Sequence, residues 1–220
     1  MTSYRKLSDL PQVIPVFPLD GALLLPGGVL PLRIFEPRYL NMIDDAMSGE
    51  RMIGMVQTRA PANRAAPKLA RVGCAGRITS YAETDDGKYL IALTGVCRFE
   101  TVDELPRLTP YRQVRAAYAP FEGDLAADDD AVEFDRGPFM ELLRRYLDRK
   151  GLGVEWDSVA SAPGPALVTS LCMALPFGPT EKQALLEASD LGDRRATLEA
   201  LLAIDAVIDE DDDDAPPSIQ

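Results

Sequence analysis

A chain of 220 residues with no histidine lacks the commonest general base and the commonest metal ligand. Most hydrolytic triads are excluded with them. The three cysteines, Cys74, Cys97 and Cys172, form no C-x-x-C pair, so they are expected to be buried, reduced and structural. Glu83 and Asp85 fall at a hairpin tip, open to water, where nothing would raise one carboxyl pKa for acid–base work. Gly27-Gly28 tempts a phosphate-loop reading, but the positive φ of a turn between strands explains two glycines. The chain has no G-x-x-x-x-G-K-S/T loop, so nothing is expected to cradle a nucleoside triphosphate. What remains is contact chemistry. Arg33, Phe35, Glu36, Arg38 and Tyr39 place two aromatic rings among guanidinium groups, a composition favoured where proteins bind partners. For Phe35 a structural reading competes: packing on Leu40 across a helix start as a hydrophobic staple. Met42, Met47, Met52 and Met55 would suit an adaptable binding surface, but filling an irregular core is the expected role.

The five candidate contact residues sit in a stretch, residues 19–40, around which the first half of the chain is organised. Leu30, Leu32 and Ile34 fall on one face of a strand, and Pro31, Arg33 and Phe35 on the other. Glu36-Pro37 stops that strand and starts a helix, since proline at the first helical position gives up an N–H that had no partner. The helix carries Tyr39, Leu40, Ile43 and Met47 at helical spacing and closes at Ser48-Gly49. Before it, residues 13–19 form a short apolar strand whose two prolines suit a sheet edge, a strand end or a bulge. After it come a strand at 51–57, a surface loop at 58–67 and a long strand at 69–82. The turn at 84–88 contains Asp86-Gly87, which supplies a tight hairpin's positive φ. The return strand runs 89–102 with a bulge near Gly95, and a further strand covers 111–118. A small closed or half-closed sheet over residues 13–120 follows, preceded by a loose arm at 1–12.

Composition shifts at Ala119-Pro120, and 124–130 reads as an acidic, solvated connection. Phe139, Leu142, Leu143, Tyr146 and Leu147 then make the stripe of an amphipathic helix ended by Gly151 to Gly153. Pro165 opens a second helix, with Leu167, Val168, Leu171, Cys172 and Leu175 inward, and Pro176 to Pro179 breaks it. Thr180 with Gln183 forms a capping box for a third. Asp190 caps a fourth, striped by Leu191, Leu198, Leu201, Leu202 and Ile208. Residues 121–208 are therefore expected to be a helical bundle, making the whole an α+β protein. The net charge is −12, of which Asp209 to Asp214 supplies six, leaving −6 on the rest. A protein that neutralises phosphates is not usually built so, and residues 209–220 are expected to be a disordered, solvated tail. No apolar run approaches the ~20 residues of a membrane span. The N-terminus lacks a signal peptide's apolar core, so the expected location is cytoplasmic.

Several segments in order resemble the N-terminal domain of the Lon protease family. They are IPVFPLDGALLLPGGVLPLRIFEPRYLNMIDDAM at 14–47, RMIGMV at 51–56, VGCAGRI at 72–78, LTGVCRF at 93–99 and TSLCMALPFGPTEKQALLEASDLGDRRATLEALL at 169–202. The resemblance implies a small PUA-like pseudo-barrel followed by helices. It further implies recognition of unfolded or degron-bearing polypeptide. With no phosphate loop, and with the chain ending where the family's catalytic domains would begin, it implies a stand-alone, non-catalytic relative. Such a relative would serve as an adaptor or chaperone-like factor in protein quality control, with no cofactor and with neither nucleic acid nor membrane as partner. The alternative is a PUA-like module that binds RNA or a small ligand, against which the acidic charge weighs.

Overall fold

Alternation in the first half of the chain yields six strands: β1 (Val13–Pro18), β2 (Val29–Ile34), β3 (Met52–Thr58), β4 (Leu69–Glu83), β5 (Tyr89–Glu104) and β6 (Arg112–Ala117). The structure is a computed structural model and describes residues 4–59, 67–126 and 135–208. The strands run in the order β2-β5-β4-β3-β1-β6, and a further pairing of β5 with β6 closes the ring. Closure is possible because β5 is 16 residues long. Its Tyr89–Thr94 half pairs with β2, while Glu100 to Glu104 pairs with β6. The register shifts between Gly95 and Cys97, opposite Ala75 and Gly76 of β4, a bulge that bends the strand between its two partners.

Two prolines do not hold β1 to an edge, for it lies between β3 and β6. Pro15 pairs with Gln113 of β6 but precedes Val16, the first residue paired with β3. Its missing N–H therefore interrupts no β3 ladder, and Pro18 ends the strand. Inside the ring, Ile14, Val16, Ala75, Cys97, Phe99 and Val114 are fully buried, and the Phe99 ring meets Tyr118 edge-on at 6.1 Å. The expected loose arm is corrected for residues 4–12. Leu10 joins this core with Tyr4 and Leu7 partly buried against it, and the Tyr118 hydroxyl donates to the Pro11 carbonyl at 3.1 Å. Residues 1–3 lie outside the described residues.

Gly27 has φ 75° and donates its N–H to the Gly95 carbonyl at 3.0 Å, while Gly28 donates to Leu25 at 3.0 Å. Both N–H groups serve the fold, which leaves neither for a phosphate. Opposite them, a Cβ on Gly95 would stand 2.0 Å from the Leu25 carbonyl oxygen, so only glycine permits this approach. Pro37 then opens α1 (Pro37–Ser48), with Glu36 as N-cap and Tyr39, Met42, Ile43 and Ala46 buried. Met42, Met52 and Met55 are buried core residues, as expected.

The remaining helices are α2 (Arg136–Lys150), α3 (Trp156–Ser161), α4 (Gly164–Ala174), α5 (Pro179–Glu187) and α6 (Leu191–Ile208). The chain divides into two compact units, Met1–Asp129 with Thr169–Glu187, and Asp130–Val168 with Ala188–Gln220. This differs from one bundle over 121–208, because residues 169–187 group with the strands. One side chain holds this segment together and another ties it to the sheet. Lys182, 2% exposed, donates to the Cys172 and Met173 carbonyls at 3.0 and 2.7 Å, tying α5 to the last turn of α4. Burial lowers its pKa. Gln183 donates to the Val72 carbonyl of β4 at 3.2 Å and accepts from Gln57 of β3 at 3.1 Å. The expected capping box is thus corrected: α5 begins two residues earlier than Thr180 as N-cap would place it, at Pro179, and Gln183 serves the sheet.

The acidic connection is corrected at its start. Ala119–Leu125 is a 3-10 helix, and Asp124 forms a buried ion pair with Arg98 at 2.8 Å, since a guanidinium inside the barrel requires a counter-charge. Residues 127–134 lie outside the described residues, as do 60–66 of the expected loop and the acidic tail at 209–220.

In the second unit, Asp135 caps α2 by accepting from the Gly137 N–H at 3.0 Å. Gly151 ends the helix at φ 62°, the left-handed C-terminal signal. Asp190 caps α6 by accepting from the Asp193 N–H at 2.8 Å. Phe139, Leu143, Tyr146, Leu147, Leu198 and Leu202 are buried, the stripes expected of α2 and α6. Short α3 was not anticipated; Arg136 holds its end by donating to the Ala160 and Ala162 carbonyls. Among the described residues no helix is long and apolar enough to cross a membrane.

Candidate functional site

Strand alternation decides where the candidate residues point. On β2 Ile34 is 1% exposed, whereas Phe35, one residue on, is 62% exposed. A staple would have buried Phe35 against α1, so the staple reading gives way to an exposed ring. Arg33 is also exposed and faces Asp86 of the β4–β5 hairpin at 3.6 Å, with both side chains about half in water. Such a pair contributes little and leaves the guanidinium available. Asp86 is committed elsewhere: hydrogen bonds from Lys88 and Thr84 bring its pKa down to about 2.

Glu36 makes no side-chain cap to α1. Its carboxylate instead accepts from Arg38 Nε at 2.9 Å and pairs with Arg38 Nη2 at 2.7 Å. This pairing helps place the guanidinium 4.5 Å above the Tyr39 ring. Tyr39 is 6% exposed and meets Phe17 edge-on at 4.3 Å. The five residues therefore divide. Arg33 and Phe35 lie on the open surface of the strand–helix corner, while Arg38 and Tyr39 turn into a neighbouring hollow of about 240 Å³.

Arg107, Tyr111 and Arg112 complete the polar lining of that hollow, with Pro18, Thr58, Pro67 and Pro110. Its walls are held by named bonds. The Tyr111 hydroxyl donates to Asp45 of α1 at 2.7 Å; burial and this bond push its pKa up to about 12. Arg112 grips Glu104 with two donors, at 2.8 and 2.5 Å, and gives a third hydrogen bond to the Pro67 carbonyl at 3.0 Å. The fork holds the Glu104 carboxyl below its ordinary range. Thr58 is fixed by Asp20, which accepts from its N–H at 2.7 Å and its hydroxyl at 2.8 Å.

Arg107, Tyr111 and Arg112 escaped the sequence reading. The available signal was the segment PRLTPYR at 106–112, which sets arginines and a tyrosine among prolines before β6. Its pairing with the corner depends on barrel closure, which spacing alone does not show. A second, larger hollow of about 690 Å³ runs between α5 and the β3–β4 strands, lined in part by Asp20, Arg59, Arg71, Gln183 and Glu187. Its lining mixes both signs of charge.

The three cysteines are buried thiols. Burial pushes the Cys97 thiol up to about 12, with the nearby Asp124 charge adding to it, so this thiol is no nucleophile at neutral pH. Among the described residues no group of three or more cysteine or carboxylate side chains could hold a metal ion.

Residues 13–203 match the family described as the ATP-dependent protease La (LON) substrate-binding domain. Lon protease 2 of Myxococcus xanthus is 29% identical over 199 residues, covering 88% of this chain and 24% of that protein. Lon protease of Anaeromyxobacter dehalogenans is 29% identical over 199 residues, covering 88% and 23%. The chain thus spans about a quarter of the length of these curated relatives. Among solved structures, the crystal structure of a Lon N-terminal domain protein from Xanthomonas campestris superposes with a TM-score of 0.58 at 25% identity, covering 87% of this chain and 97% of that one. The N-terminal domain of Lon protease from the Mycobacterium avium complex gives a TM-score of 0.59 at 18% identity, covering 88% and 97%, a likeness of fold.

Proposed function

The chain belongs to the family of Lon substrate-binding domains, and from that premise we propose that it recognises polypeptide without transforming it. The occupants would be unfolded or degron-bearing segments, and the role that of an adaptor or chaperone-like factor in protein quality control. The observation that carries this reading is Phe35, 62% exposed between Arg33 and Arg38 at the strand–helix corner. An exposed ring beside guanidinium groups offers apolar area together with fork-shaped donors for carbonyls or carboxylates. Weak apolar contact would supply the affinity, and arginines the orientation. One such contact contributes on the order of 1–2 kcal/mol, which suits affinities in the micromolar range or weaker.

The RNA reading is less well supported. Three arginines around a hollow of about 240 Å³ make a point of contact, whereas single-stranded nucleic acid is held along a basic, aromatic-lined groove.

Phe35→Ala and Arg33→Ala test the proposal, each measured by thermal unfolding and by binding to a fluorescently labelled, permanently unfolded polypeptide. Because both side chains are exposed, each variant should change stability by no more than ~0.5 kcal/mol. Phe35→Ala should weaken binding about five- to thirtyfold. A loss of stability above ~1 kcal/mol with binding unchanged would place the binding surface elsewhere.

A further inference from the structure

We propose that the arginine-lined hollow takes a carboxylate from the bound polypeptide, either its free C-terminus or an aspartate or glutamate side chain. Recognition would then favour apolar segments that carry or end in an acid. This rests on the polypeptide-recognition reading and names the substrate class it selects.

Size comes first. About 240 Å³ falls below the roughly 300–1,000 Å³ of small-molecule sites, and suits one residue's end better than a whole ligand. The lining is cationic: Arg38, Arg107 and Arg112 contribute to it and no carboxylate does. Glu36 holds Arg38 and Glu104 holds Arg112, which fixes two guanidinium groups before anything binds. Arg107 differs. Among the described residues it has no hydrogen-bonded or ion-paired partner, and its charge acts only at longer range on Glu104.

A second unused group lines the same hollow. Tyr39 is 6% exposed, its ring is packed on Phe17, and its hydroxyl makes no hydrogen bond among the described residues. Tyr39 lines the hollow, and a carboxylate oxygen there would supply its hydroxyl with an acceptor. An unpaired cation and an unpaired hydroxyl thus line one hollow, with Pro18, Pro67 and Pro110 as apolar wall for the adjoining residue. Arg112 cannot serve alone, because Glu104 and the Pro67 carbonyl engage its donors.

The test uses the full chain and one labelled apolar peptide in three forms: free C-terminus, amidated C-terminus, and amidated with one internal glutamate. Fluorescence anisotropy should show at least one acidic form binding about fivefold more tightly than the neutral amide, the upper end of what one exposed ion pair supplies. The tighter acidic form identifies the source of the carboxylate. Arg107→Ala should abolish the preference without moving the unfolding temperature, since the side chain is exposed and unpaired. Tyr39→Phe, which keeps the packed ring, should reduce the preference at least twofold. Equal binding of all three forms overturns the carboxylate proposal alone, as does a preference that survives Arg107→Ala. Failure of all three forms to bind overturns the polypeptide reading and this proposal with it.

Discussion

Arg98 is 3% exposed inside a barrel lined by Phe99, Cys97 and Val114, and such a charge persists only when its donors are matched. Asp124 matches them: Arg98 Nη2 reaches its Oδ1 at 2.8 Å and Arg98 Nε its Oδ2 at 2.9 Å. The same carboxylate accepts from the Arg98 backbone N–H at 2.9 Å. A further donor goes to the Leu186 carbonyl at 3.1 Å, and the guanidinium lies 4.6 Å over the Phe121 ring. Removing the acid strands the base. Asp124→Ala should lower unfolding free energy by about 3–5 kcal/mol, measured by urea denaturation. The paired replacement Arg98→Met with Asp124→Leu should recover part of that loss, because no buried charge is left without a partner. If Asp124→Ala costs less than ~1 kcal/mol, water reaches Arg98 and the pair is not structural. Contrast Phe35, exposed on the corner, where truncation should cost binding and not stability. The two residues illustrate opposite uses of arginine and aromatic neighbours, and burial alone separates them.

At the scale of elements, α5 is tied to the sheet by a chain of amides. Gln57, 3% exposed, accepts from the Gly21 N–H at 3.3 Å and donates to Gln183 at 3.1 Å. Gln183 in turn donates to Val72 of β4 at 3.2 Å and to Glu187 on its own helix at 2.7 Å. Gln183→Ala removes the middle link and leaves the Gln57 amide and the Val72 carbonyl short of partners. Urea unfolding should show a loss of about 1–3 kcal/mol, whereas a neutral result would mean water replaces the link. The sequence made Gln183 look like half of a capping box because Thr180 stands three residues before it. Local spacing could not reveal that a strand would compete for its amide. The corner itself was legible, since β2 alternation and Glu36-Pro37 encode strand, stop and helix within a few residues. Phe35 shows the limit of that legibility: alternation turned it outward, yet only burial decided between staple and surface. Arg107, Tyr111 and Arg112 were not legible as site residues. Their place beside Arg38 and Tyr39 follows from β6 pairing with both β1 and β5, a long-range register that no local pattern carries. Asp124 was hidden for the same reason, its partner Arg98 lying on the far side of a strand and a turn.

For the molecule as a whole, the tyrosines set the alkaline limit of stability. Tyr39, Tyr89, Tyr111 and Tyr118 all have folded-state pKa values above the ordinary 10.0. Burial dominates for Tyr39, Tyr111 and Tyr118, whereas the hydrogen bond to Asp44 dominates for Tyr89. In Tyr111 burial and the bond to Asp45 together bring the value to about 12. A raised folded pKa means that the folded chain keeps protons the unfolded chain has released. The stability these groups contribute is present below pH ~10 and is lost as pH climbs through the folded values. Lys182 works the other way. Its folded pKa lies below the ordinary 10.5, so it makes stability rise with pH as its unfolded value is approached. That contribution levels off above pH ~10.5, where the tyrosines alone set the slope. The urea midpoint should therefore fall steeply between pH ~10 and 12, and absorbance at 295 nm should report delayed phenol ionisation in the folded protein. Tyr111→Phe keeps the ring and removes the titrating hydroxyl. It should cost about 1 kcal/mol at neutral pH through the lost Asp45 bond, and it should flatten the decline between pH 10 and 12. An unchanged alkaline slope in the variant would show that Tyr111 titrates alike in both states, and the bond to Asp45 would then carry no pH dependence.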